Sequence, residues 1–222
     1  MSNKTFLAVL VVAMLLFAVA PLMIAWAPYE ATMGLVQKIF YFHVPAAMAM
    51  FVSAFVCGIA SALYLFKRNV RADRWAIAAA ELVALFGLVV LISGPLWARK
   101  AWGVWWQWDA RLTSTLVLWM IFLGYLLLRR YGGPGSDKLS AGMALFGMAN
   151  VPFVYISVNI WRTVHPTTNV VMTLSPGMRG AFWWCVAAFM LLYVLALAAR
   201  ARLEDQRARL EELYLALDDD LA

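Results

Sequence analysis

Ionisable side chains are scarce in this chain. Asp, Glu, Lys and Arg make up 14% of its 222 residues, against 65% hydrophobic. A soluble globule is about half apolar and about a quarter charged, so a soluble fold is excluded and the chain reads as an integral membrane protein. Cysteine is nearly absent. Cys57 and Cys185 each stand inside an apolar run with no C-x-x-C or C-x-x-C-H pattern, which excludes a dithiol pair and a thioether-linked prosthetic group. Isolated cysteines of this kind serve as small hydrophobes. Histidine occurs only twice, at His43 and His165. No low-complexity tract and no separate soluble domain are present. The net charge of +6 does not indicate nucleic acid, because the basic residues fall in short loops between apolar runs instead of along one soluble face.

The apolar runs are what remain. The first, Phe6 to about Trp26, has the roughly twenty residues needed to cross the hydrocarbon core. It exceeds a signal-peptide core and lacks a convincing small-x-small cleavage site, so it reads as a retained span. A polar gap follows, ending in Phe40-Tyr41-Phe42-His43-Val44-Pro45. Proline suits the first turn of a helix, which puts the second span at about 45–66 with His43 just ahead of it. Further spans are expected at about 75–97, 112–128, 139–160 and 178–199. The expected fold is therefore all-α: a six-helix polytopic membrane bundle over residues 1–200, with residues 201–222 as a helical tail. In that tail Leu203, Leu210, Leu213 and Leu217 recur at roughly heptad spacing.

Lys and Arg set the expected orientation, since cytoplasmic loops carry their excess. Placing the N-terminus, loops 67–74 and 129–138 and the tail in the cytoplasm gathers 12 of the 18 basic residues there. Both termini are then cytoplasmic, as an even number of spans requires. His43, the tryptophan-rich segment 98–113 and Trp161-Arg162-Thr163-Val164-His165-Pro166 all emerge on the outer face.

That segment holds four indoles, one carboxylate and one guanidinium in Trp102-Gly103-Val104-Trp105-Trp106-Gln107-Trp108-Asp109-Ala110-Arg111-Leu112-Thr113. Read as a helix, it puts Trp102, Trp105, Trp106 and Asp109 on one face, a flat apolar platform ended by a carboxylate. An interfacial aromatic belt is the plainer reading, but belts place one or two aromatics at a helix end, and this density fits a ligand bed better. Two histidines beside a broad aromatic surface suit a large flat ligand with a metal centre, and haem fits best. Imidazole is a common axial ligand to haem iron, indoles pack against a porphyrin, and Lys100, Arg111 or Arg162 can pair with propionates. Zinc is a poorer fit, because two histidines and one nearby Asp leave a thin ligand set and no use for the indoles.

The segment 102–113 resembles the tryptophan-rich WWD signature of the haem-handling proteins of cytochrome c biogenesis. Together with Phe40-Tyr41-Phe42-His43-Val44-Pro45, the 161–166 stretch and six spans, it is similar to the haem exporter protein C (CcmC) family, over about residues 30 to 180. The resemblance implies haem b held as cargo in the inner membrane at its periplasmic face. His43 and His165 are its axial ligands, with Trp102, Trp105, Trp106, Trp108, Asp109, Arg111 and Arg162 around it. It further implies presentation to the haem chaperone CcmE, beside the ABC transporter CcmA with CcmB and the small membrane protein CcmD. No catalytic residue is implied. The rival expectations are a transporter using the bundle as a pathway, for which the intramembrane Glu81 would be the marker, and a scaffold subunit, which would need no metal ligands. A single acid is not a relay, and Glu81 reads equally well as a bundle-facing carboxyl that is hydrogen-bonded or kept neutral by burial.

Overall fold

Residues 2–221 are described by the structure, a computed structural model; Met1 and the last residue of the tail, Ala222, lie outside the described residues. Six helices follow one another: α1 (Asn3–Trp26), α2 (Phe40–Lys67), α3 (Val70–Trp102), α4 (Ala110–Tyr131), α5 (Ser136–Ile160) and α6 (Pro176–Leu221). All six contain a stretch long and apolar enough to cross a membrane. Among the described residues there is no strand, only an isolated bridge between Glu30 and Gly34.

The connections are unequal, and that inequality positions the site. At one end α2 meets α3 through residues 68–69, and α4 meets α5 through 132–135. Side chains and glycine make these breaks sharp. Asn69 caps α3 by accepting from the Ala72 N–H at 3.1 Å, and Gly133 and Gly135 take positive φ, a conformation costly for a residue with a Cβ. At the other end the connections 27–39, 103–109 and 161–175 are long. Alternating helix direction brings all three together, with His43, the tryptophan segment and His165 among them.

The sequence pattern starts the second span at Pro45, but α2 begins at Phe40, directly after a 3₁₀ turn over Leu35–Ile39. His43 is thus in the first helical turn, not ahead of it, and Pro45 is in the second. Packing outweighs the local preference of proline for a helix start, because Phe40 and Tyr41 are buried against α6 and α3. The Lys38 ammonium steadies the turn by donating to the carbonyls of Ile24 and Ala25 at the end of α1.

α2 and α3 form the centre. α2 packs on α3, α5 and α6, α3 also meets α4 and α6, and α1 lies against α6. Small residues let the central pair approach closely, with Ala46, Ala49 and Ala54 of α2 and Ala76, Ala79 and Ala80 of α3 all buried in one core. In lipid, where apolar side chains gain little by leaving the tails, such packing and interhelical hydrogen bonds hold helices together. Ser53 donates to the Ala79 carbonyl at 2.8 Å, and the Trp119 and Trp184 indoles donate to Ala84 and Leu16 carbonyls at 2.9 Å.

α6 has 46 residues, a length of about 69 Å at 1.5 Å per residue, about twice a hydrocarbon core of about 30 Å. The projecting part is tied to α3. Arg200 grips Glu81 with two hydrogen bonds, one of them 2.6 Å long, and also meets Glu204, while Arg74 pairs with Asp205 at 3.1 Å. Glu81 is therefore a satisfied carboxylate within the bundle. Arg200→Met should strand it and destabilise the fold by about 1–2 kcal/mol, between the values for exposed and buried pairs, since both side chains are one-third exposed. Glu81→Gln in addition should recover most of that loss. Denaturant titration in detergent checks this, and a double variant no more stable than Arg200→Met would refute it.

Candidate haem-binding site

His43 projects from the first turn of α2 toward α3 and is 8% exposed. Its Nδ1 lies 2.9 Å from the Ser93 hydroxyl. That hydroxyl has one proton, which it gives to the Val89 carbonyl one helical turn back, at 2.6 Å. Ser93 Oγ must therefore accept from His43, so Nδ1 carries a proton, and it is Nε2 that keeps a lone pair in the neutral ring. One turn further along α3, the Trp97 ring meets the imidazole edge-on at 5.7 Å between centroids. Between them, Gly94 leaves the ring room: a Cβ there would sit 3.4 Å from His43 Cε1.

His165 lies in the 161–175 connection and is half-buried. Its Nδ1 is 2.8 Å from the Pro166 carbonyl oxygen. A carbonyl only accepts, so here too Nδ1 bears the proton and Nε2 is free. Burial is the main cause that holds this imidazole well below its ordinary pKa, at about 4, with the Arg111 guanidinium adding to the effect. The ring is neutral across the physiological range, as a metal ligand must be. His43, His165 and Arg111 lie within electrostatic reach of one another.

The tryptophan segment is not helical, which corrects the single-face platform. Gly103 ends α3 with φ +79, the left-handed C-terminal conformation that glycine adopts at least cost, and residues 104–109 run without helix until Asp109 caps α4. The indoles consequently part company. Trp102 ends α3 and stacks on Trp97 at 6.1 Å and 24°, so it belongs with His43. Trp106 meets Trp108 edge-on at 5.7 Å. Trp105 and Trp108 are 57% and 77% exposed, free to cover a ligand or to sit in a membrane interface.

The charged residues divide similarly. Asp109 accepts from the Leu112 N–H at 2.8 Å, from the Thr163 hydroxyl and from the Val164 N–H at 3.2 Å. Arg111 donates from Nη1 to the Val154 and Tyr155 carbonyls of α5. Lys100 and Arg162 are exposed.

Two imidazoles whose Nδ1 atoms donate to fixed oxygens, with stacked indoles beside His43, offer a donor set suited to haem iron and a porphyrin plane. The indole N–H groups of Trp97 and Trp106 are buried with no protein acceptor, and buried donors ordinarily have one, so both can serve a ligand's carboxylates or a water. The residues present fit the group. Bound there, haem would supply an iron centre that takes both nitrogens. The chain would orient those nitrogens and shield the face from water. Among the described residues no cluster of three or more His, Cys, Asp or Glu competes as a metal site. Ser93, Gly94 and Trp97 are additions that the sequence did not single out. Their only signal is a shared face of α3, at i, i+1 and i+4.

Comparison with known proteins points the same way. A family model described as Heme exporter protein C matches residues 1–215. The chain is similar to the Heme exporter protein C of Escherichia coli (strain K12), 32% identical over 205 residues that cover 86% of this chain and 81% of the relative. It is 36% identical over 208 residues to that of Bradyrhizobium diazoefficiens, covering 90% and 79%. A putative cytochrome c biosynthesis ccmC-like mitochondrial protein of Marchantia polymorpha is 34% identical over 144 residues, covering 65% and 61%.

Proposed function

The chain belongs to the Heme exporter protein C family, and on that premise we propose that it binds haem b between His43 and His165 at the periplasmic face of the inner membrane and presents it to CcmE for c-type cytochrome maturation. The observation that carries this reading is the matched pair of imidazoles. Each spends its Nδ1 proton on an oxygen fixed by its own surroundings, Ser93 in one case and Pro166 in the other, and each keeps Nε2 for a metal. An oxygen that accepts from the far ring nitrogen fixes a ligating imidazole's tautomer and orientation. Trp97 and Trp102 wall the His43 side, while the exposed Trp105 and Trp108 offer a surface that a soluble chaperone can reach. CcmA with CcmB and CcmD are the partners that family membership suggests.

The hand-over is tested with haem-loaded protein in proteoliposomes mixed with purified CcmE. Haem is expected to leave the loaded protein and appear covalently on CcmE without entering the vesicle lumen. Accumulation in the lumen instead would favour passage through the bundle and contradict presentation.

The orientation is a separate prediction, resting on the gathering of 12 of the 18 basic residues at the end opposite the histidines. Both native cysteines are buried, so a single introduced thiol reports with little background. Thr167→Cys should react with an impermeant maleimide in intact spheroplasts, and Tyr131→Cys only after permeabilisation. The reverse pattern would invert the topology and put the site in the cytoplasm.

A further inference from the structure

We infer that Asp109 is a positioning residue for His165, straps the 161–175 connection to the start of α4 through Thr163, and makes no contact with the porphyrin. The inference rests on the axial role proposed for His165. The 15 residues between α5 and α6 contain no regular helix or strand, and a connection of that length needs something to hold it. Asp109 supplies it. Oδ1 accepts from Leu112 N–H and caps α4, where a negative charge also suits the helix dipole. Oδ2 reaches across to the connection and accepts from the Thr163 hydroxyl and the Val164 N–H. Having given its proton to Asp109, the Thr163 oxygen accepts from the His165 N–H at 3.1 Å. One carboxylate thus fixes three consecutive residues, and the third is the histidine. The ring is in turn oriented by Pro166, the next residue along. Asp109 is an acceptor only, with both oxygens already engaged by protein donors, so it has no proton to offer a propionate, which would be repelled by like charge. The chemistry demands an acid. An amide at 109 would set an NH₂ group against a donor, either at the α4 cap or at the strap.

The test separates the cap from the strap. Asp109→Ser keeps an N-cap oxygen but is too short to span to the connection; Thr163→Val keeps the shape of the side chain and removes the hydroxyl; Thr163→Ser restores it. In the haem-free protein, hydrogen exchange of the Val164 and His165 amides should quicken roughly tenfold in Asp109→Ser and Thr163→Val, the loss expected of one charge-assisted link. Exchange in α4 should be unchanged in both, and Thr163→Ser should match wild type. In the haem-loaded protein the same two variants should show a partial shift from six-coordinate low-spin to five-coordinate haem that external imidazole reverses. The double variant should be no worse than Asp109→Ser alone, which already removes both the Thr163 and the Val164 links. Unchanged amide exchange would overturn the strap. Faster exchange with an unaltered haem spectrum, while His165→Ala does alter it, would overturn the positioning role alone. An unaltered spectrum in His165→Ala itself would remove the axial assignment and the inference with it.

Discussion

Replacing either imidazole by a methyl group is expected to lower haem affinity on the order of a hundredfold, at or beyond the upper end of what losing an outer-shell partner of a metal ligand costs. Iron held by two imidazoles is six-coordinate and low-spin, so His43→Ala and His165→Ala should each open one axial position and convert the spectrum to a five-coordinate, high-spin form. External imidazole should restore part of the binding, because it fills the vacated position without the backbone. Ser93→Ala should do less, about tenfold, since it leaves the ligand in place but frees its ring to rotate and strands the Nδ1 proton. Absorption spectra and haem content of the purified variants check this ordering. If both single alanine variants kept the wild-type spectrum and haem content, His43 and His165 would be hydrogen-bonding residues and nothing more.

The second large effect is expected at Trp97, a residue outside the tryptophan signature. It is 6% exposed, meets His43 edge-on, stacks on Trp102 and contacts Phe40. Trp97→Ala should therefore lose haem and also destabilise the bundle by about 3–5 kcal/mol, the usual cost of emptying a buried aromatic site. Trp105→Ala and Trp108→Ala, both on exposed rings, should leave stability within about 0.5 kcal/mol of wild type while weakening haem retention or hand-over. Thermal or denaturant unfolding in detergent, run beside haem content, separates the two classes. Equal destabilisation at 97 and 108 would mean that the structure divides the indoles wrongly. Wild-type haem content and transfer in all three would reduce the segment to an interfacial belt.

The contrast between Trp97 and Trp108 also shows how much of the molecule its sequence discloses. Hydropathy reveals six helices because lipid demands about twenty apolar residues per crossing, and counting crossings brings both histidines to one end. Composition alone marks the 102–113 segment as unusual. What sequence does not disclose depends on contacts between distant residues. Gly103 breaks the helix that spacing would extend through the tryptophans, and only then does Asp109 turn from the face of a platform toward Thr163, 54 residues away. Arg111, a natural partner for a propionate by charge, spends Nη1 on α5 carbonyls. Trp97 reads as the last aromatic of a span until α3 is set against α2 in a register that puts it beside His43. Glu81 looks like a pathway marker until Arg200 arrives from 119 residues downstream. Apart from the glycine stop, which is a local signal, each of these depends on which elements come together, and periodicity within one element does not encode that.

Because the chain has only two histidines, one measurement addresses the ligation directly. Protein without a histidine tag, labelled with ¹⁵N only at histidine and loaded with ferric haem, should give a low-spin paramagnetic resonance spectrum. Its hyperfine couplings should report two iron-bound ¹⁵N nitrogens, and His43→Ala and His165→Ala should each remove one of them. One labelled nitrogen or none on the iron of the wild-type protein would contradict bis-histidine ligation.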